Sequence, residues 1–197
     1  MMWQAVFLSL QVSAVATICA LPLAIWVAHV LARKQFRGHG LLNGLVHLPL
    51  VLPPVVTGYL LLIVFGKQGA VGGFLYDWFG ITLAFRWTGA ALAAAIMGFP
   101  LMVRAIRLGF EAVDAGLEDA ARTLGASRAR VFGTVTLPLV MPAILAGAVL
   151  GFAKALGEFG ATITFVAAIP GQTQTIPSAI YGLLQVPNQE SDVIVLV

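Results

Sequence analysis

Residues 1 to 32 contain no Asp, Glu, Lys or Arg. No other feature limits the fold as strongly. A helix needs about 20 apolar residues to cross about 30 Å of hydrocarbon. Ala5 to Leu31 is long enough to do so with tilt. It lacks a basic leader and is too long for the apolar core of a cleavable signal, so it reads as a span. A soluble domain carries roughly 25% charged residues. Here 10% of 197 residues are charged and 60% are hydrophobic. That is too little charge to coat a water-facing surface. It excludes a soluble enzyme, a disordered tail and a nucleic-acid-binding domain. Cys19 is the single cysteine, so neither an internal disulfide nor a multi-cysteine metal site is available.

Further spans follow. Gly38 to Gly66 is uncharged but interrupted by Pro49, Pro53 and Pro54. This predicts a short interfacial or amphipathic piece, then a span from about Pro53 to Phe65. A third span is predicted from Trp87 to Val103 or beyond, and a fourth from about Pro138 to Phe165. The tail, Asp192 to Val197, reads as the start of a fifth. The expectation is an all-α polytopic transmembrane bundle, one domain over residues 1–197, with four full spans and a truncated fifth. Eight of the eleven basic residues fall in two loops. Arg33, Lys34 and Arg37 follow span one; Arg104, Arg107, Arg122, Arg128 and Arg130 lie between spans three and four. By the positive-inside rule both loops face the cytoplasm and the N-terminus faces out.

The second basic loop, about residues 111–138, carries the most information. Val113, Leu117, Ala120, Ala121 and Leu124 share one helical face. Asp114 can cap its start, and Glu118 and Asp119 suit its positive end. Gly125 can close the helix and Ser127 can open another. Two readings stand at this level. One is an amphipathic helix on the membrane surface. The other is a docking element that offers an apolar ridge and a charged rim to a soluble partner.

Asp119-Ala120-Ala121, Gly125, Val135 and Leu137-Pro138 resemble the EAA loop of ABC importer permeases. That pattern is Glu-Ala-Ala, three residues, Gly, nine residues, Ile, one residue, Leu-Pro. Asp119 stands where Glu is usual and Val135 where Ile is usual. The similarity extends over His47 to Gly58, Gly98 to Arg107, Leu156 to Phe165 and Thr175 to Ile180, which together resemble molybdate permeases. Sulfate permeases share part of this.

The resemblance implies the type I ABC importer permease fold in a bacterial inner membrane. It implies a coupling helix seated in an ATPase subunit, built from Asp114, Leu117, Glu118, Asp119, Ala120, Ala121, Thr123, Leu124, Gly125 and Ala126, with Leu137 and Pro138 opening the next span. It also implies a second copy of the chain and a periplasmic molybdate-binding protein. ATP and Mg would be bound by the ATPase and no cofactor by this chain. Its own residues agree: no segment matches G-x-x-x-x-G-K-[ST], and no catalytic motif is present. His29, His39 and His47 are too scattered for a metal site.

Candidate pathway residues are fewer. Lys154 and Glu158 stand i, i+4 in the fourth apolar segment and can pair. Glu158 is expected at a helix break between Gly157 and Gly160, holding Lys154 or the break in place. Pro100, Pro53 and Pro54 are candidate flexible points. Thr162 and Thr164, with Gln172, Thr173, Gln174, Thr175 and Ser178, could offer donors to an oxyanion or satisfy backbone, the latter for most. The small residues Gly89 to Ala91 and Ala93 to Ala95 fit either a homodimer seam or packing within the subunit. The expected function is a molybdate importer permease. Sulfate, thiosulfate or tungstate are alternative cargoes, and a passive channel or scaffold is the competing class.

Overall fold

Proline and glycine placement divides the apolar stretches into ten helices among the described residues, 2–186, of a computed structural model. They are α1 (Met2–Arg33), α2 (His39–Val51), α3 (Pro54–Phe65), α4 (Ala70–Phe79), α5 (Trp87–Ala112), α6 (Ala115–Thr123), α7 (Arg128–Val131), α8 (Leu137–Leu156), α9 (Gly160–Val166) and α10 (Ile176–Leu184). A π-helical turn, Phe132–Thr136, joins α7 to α8. By length and composition three helices can cross a membrane: α1, α5 and the continuous Arg128–Leu156. A fourth crossing is available if α2 and α3 count as one bent span.

α5 is the central post. At one end its Met102, Val103, Ile106 and Phe110 pack on Ala24, Val27 and Leu31 of α1 and on Val140 and Ile144 of α8. At the other, Ala90, Ala91, Ala93, Ala94 and Met97 pack on Val12 and Ala16 of α1 and on Ala161, Phe165 and Val166 of α9. The small residues thus let helices approach within one chain, and their face is consumed there. A seam between copies would need another face.

Two of the expected spans differ from expectation. α3 has twelve residues and reaches about 18 Å, too short to cross alone. A second crossing is available only as a composite, if α2 and α3, bent by 112° at Leu52-Pro53, count as one broken span. Pro53 supplies no N–H, and Pro54 takes the first turn of α3, where none is needed. The fourth helix begins at Arg128 rather than near Pro138 and ends at Leu156 rather than Phe165. Ser127 starts it early; Gly157, Glu158 and Phe159 end it, and α9 is a separate short helix. The expected fifth span lies outside the described residues.

α3 and α9 pack face to face with no room to spare. A Cβ on Gly58 would lie 2.5 Å from the Ala161 carbonyl oxygen and 2.9 Å from Thr164 Cβ. Gly58→Ala is therefore expected to force the two helices apart, at a cost of about 1–3 kcal/mol. A lowered melting temperature of the purified protein checks this; an unchanged one refutes the close packing.

Candidate functional site

Two constellations stand out, one at the basic end of the bundle and one at the helix breaks. At the basic end, α5 stops at Val113 and Asp114 restarts the chain. The Asp114 carboxylate accepts from the Gly116 N–H at 2.8 Å, which starts α6. The exit is a Schellman turn. Gly125 N–H donates to the Arg122 carbonyl at 2.9 Å and Ala126 N–H to the Ala121 carbonyl at 3.2 Å. Gly125 sits at φ +86°, which a side chain would oppose. Ser127 Oγ then accepts from Arg130 N–H at 3.4 Å and opens α7.

No residue of α6 is buried. Leu117 is 50% exposed and Leu124 89%. Val113 alone of the apolar stripe turns into the core. The ridge of Leu117 and Leu124 is rimmed by Asp119 and Arg122, which pair at 2.6 Å. Thr123 is spent locally, donating to the Ala120 carbonyl at 2.7 Å. Leu137 packs against the core from the start of α8, with Pro138 in its first turn.

What holds α6 in place is polar. The Glu118 side chain, 12% exposed, accepts from Arg33 Nη2 at 3.2 Å, Thr136 Oγ1 at 2.7 Å and Arg122 Nη2 at 3.4 Å. Arg33 Nη2 also lies 3.4 Å from the Val113 carbonyl. One carboxylate therefore joins α6, the end of α1 and the π-turn. Charge-assisted hydrogen bonds of this kind are the strong ones. In the sequence Arg33 marks only a charge bias, and nothing marks Thr136. Neither residue is near Glu118 in sequence, so no local spacing marks them.

At the second constellation Lys154 Nζ donates to Glu158 Oε2 at 2.7 Å. Glu158 Oε1 accepts from the Ala161 N–H at 2.9 Å, satisfying a donor in the first turn of α9. Glu158 is 2% exposed. The second break lies alongside: a Cβ on Gly160 would come within 2.8 Å of Pro54 Cβ. The fold thus gathers Pro54, Lys154, Glu158, Thr162 and Thr164 where α3, α8 and α9 end or begin, with Pro53 at the bend itself. Pro100 is buried in α5, which continues through it.

The hydroxyls are mostly committed to backbone. Thr162 donates to the Phe159 carbonyl at 2.9 Å and Thr164 to that of Gly160 at 2.8 Å. Thr173 lies within 3.2 Å of the Val166 and Ala167 carbonyls, and Ser178 donates to that of Thr175 at 2.9 Å. Among the described residues no group of three or more His, Cys, Asp or Glu could hold a metal ion.

Comparison with known proteins adds the context for this geometry. The sequence profile of the family described as binding-protein-dependent transport system inner membrane component matches residues 20–186. The molybdenum transport system permease protein of Escherichia coli (strain K12) is 64% identical over 189 residues, covering 96% of this chain and 82% of that protein. A sulfate transport system permease protein of Salmonella typhimurium is 38% identical over 159 residues, covering 81% of this chain and 57% of that protein. In structure, a bacterial ABC transporter involved in the import of the acidic polysaccharide alginate matches at TM-score 0.70. It is 17% identical and is covered over 74% of its chain and 98% of this one.

Proposed function

Since the chain belongs to the family of binding-protein-dependent transport system inner membrane components, we propose that it works as the molybdate-translocating permease of an ATP-driven importer. The observation that carries this is the 64% identity to a molybdenum permease over 96% of the chain, against 38% for a sulfate permease. A permease of this family does no covalent chemistry itself. ATP hydrolysis is assigned to a separate ATPase subunit that seats α6. A periplasmic binding protein delivers the oxyanion, and a second copy of the chain completes the path.

The basic end is assigned to the cytoplasm and the N-terminus to the periplasm. The whole chain acts as one membrane domain with its coupling loop at about 111–138. In the coupling loop, Leu117 and Leu124 supply the apolar ridge, and Asp119 and Arg122 the rim. Glu118 ties the helix to the bundle. Ala120, Ala121, Thr123 and Ala126 shape the helix and its exit, and Leu137 and Pro138 begin the wall that moves. Pro53, Pro54, Lys154, Glu158, Thr162 and Thr164 form the moving break beside the path, with Pro100 in the neighbouring wall. Glu158 neutralises Lys154 and the threonine hydroxyls are bonded to backbone, so no unpaired cation is fixed there, which suits an anion that must leave again.

The test is molybdate accumulation in cells lacking their own permease, given this chain, an ATPase subunit and a binding protein. Uptake should survive excess sulfate. Abolition by sulfate would move the chain to the sulfate group, and accumulation without an ATPase subunit would mean a passive channel. A second test addresses coupling. A Cβ on Gly125 meets nothing within 4 Å, so Gly125→Val acts through the left-handed backbone alone, at about 1–2 kcal/mol. Uptake should fall severalfold at an unchanged membrane level; normal uptake would refute the coupling assignment.

A further inference from the structure

α2 crosses the basic end of α5 and leaves a recess of about 240 Å³ beside it, lined by Asn43, His47, Arg104, Arg107, Leu108 and Glu111. Arg107 is fixed there: its Nε donates to Glu111 Oε1 at 2.7 Å and its Nη1 to Asn43 Oδ1 at 3.1 Å. That leaves Nη2 of Arg107 unspent. With Asn43 Oδ1 turned to Arg107, the Asn43 amide nitrogen is left to donate. His47 is held by its Nδ1, 2.8 Å from the Asn43 carbonyl. Arg104, one turn back along α5, is exposed and makes no hydrogen bond or ion pair among the described residues. Glu111 is the one carboxylate present, and Arg107 neutralises it. A second recess of about 360 Å³, on the far side of the Arg107–Glu111 pair, adds Lys34 and His39.

Arg104, Arg107 and the Asn43 amide thus line one recess, and donors of these kinds suit a tetrahedral oxyanion. We propose that this recess holds the phosphate group of an anionic phospholipid. Depth supports it: Arg104 lies about 26 Å along α5 from Trp87, close to the full hydrocarbon thickness, and so at headgroup level. Basic pockets between helices at this level suit acidic headgroups. Apolar surface for acyl chains adjoins the donors. Leu50 is exposed on the same face of α2 as Asn43 and His47, and Leu108 is exposed beside Arg104. Free cargo is the poorer occupant, because two arginines at the mouth of a path would retain a dianion that must be released. The inference needs only this end of the bundle to lie at a membrane surface, whatever the cargo.

Native mass spectrometry of the delipidated full chain, assembled with its ATPase subunit and titrated with phosphatidylglycerol or phosphatidylcholine, tests it. The wild type should retain phosphatidylglycerol in preference. Arg104→Gln, which removes no contact, should weaken that binding about fivefold, and Arg104→Lys should restore most of it. Arg86→Gln, at the other end of α5, should change nothing. Equal binding of the two lipids, or of wild type and Arg104→Gln, would overturn the proposal. Displacement of the lipid by molybdate at cargo concentrations would also overturn it, marking the recess as part of the path.

Discussion

Glu158→Ala is expected to prevent stable accumulation of the protein in the membrane. The substitution removes two interactions at once. Lys154 loses its 2.7 Å partner within an apolar segment, and the Ala161 N–H at the start of α9 loses its acceptor. Breaking a buried pair from one side costs about 3–5 kcal/mol, because the surviving charge is left without compensation. The Lys154 side chain is 29% exposed, so its ammonium reaches some water and the lower figure applies. Glu158→Gln keeps an oxygen for the Ala161 N–H and should be milder. Lys154→Met combined with Glu158→Gln leaves no orphan charge and should recover most of the loss. Membrane levels and melting temperatures of the three variants decide the matter. If the alanine variant is no worse than the glutamine one, the α9 donor does not matter and the account of the break is wrong.

Glu118→Ala should sharply reduce uptake by a different route. The protein should insert normally, since no apolar core residue is touched. α6 buries nothing of its own, and Glu118 is its polar tether to α1 and the π-turn. Hydrogen bonds to a charged group contribute about 1.5–3 kcal/mol each, and two of the three that Glu118 accepts, from Arg33 and Thr136, reach outside α6. Without them α6 keeps its caps but loses its fixed position. Uptake is expected to fall at least tenfold while ATP hydrolysis by the assembled complex persists. Arg33→Gln should reproduce part of the effect. The double variant should be little worse than Glu118→Ala, because the two residues act through one contact. Additive losses would mean that Arg33 and Glu118 serve separate ends.

The features legible in the sequence are those whose causes are local. Asp114, Gly125 and Ser127 act within three residues of themselves, so cap chemistry placed α6 and the start of α7 without tertiary knowledge. Pro53-Pro54 marked the bend for the same reason, and Lys154 and Glu158 paired as their i, i+4 spacing suggested. Hydropathy failed where a span is not one straight helix. It joined α8 to α9, because Gly157 and Gly160 hardly interrupt an apolar run, and it treated α3 as a crossing. It also missed the polar first turns before Leu137, which belong to the same helix as the apolar ones after it. The Arg33–Glu118–Thr136 junction was out of reach altogether, since it joins residues 85 and 18 positions apart. The stripe from Gly89 to Ala95 left two packing partners open. Only the position of α1 and α9 against it decides between them.

The π-turn at Phe132–Thr136 sets where along this region a change of length can be absorbed. A wide turn accommodates one residue beyond the ordinary helical repeat. Losing the extra residue of the wide turn would leave the two flanks in register, but deleting a residue from the regular turns beside it would rotate everything before the deletion by about 100° and retract it by about 1.5 Å relative to α8. The Ser127 cap, the Gly125 turn and the outward ridge of α6 would all swing with it, away from the Glu118 contacts. Point changes at Gly133 or Thr134, both exposed, disturb none of that geometry. Between Gly125 and Leu137, then, Ser127 and Thr136 are pinned by their contacts, and the wide turn is the one joint where the chain can gain or lose a residue without turning α6 away from its seat.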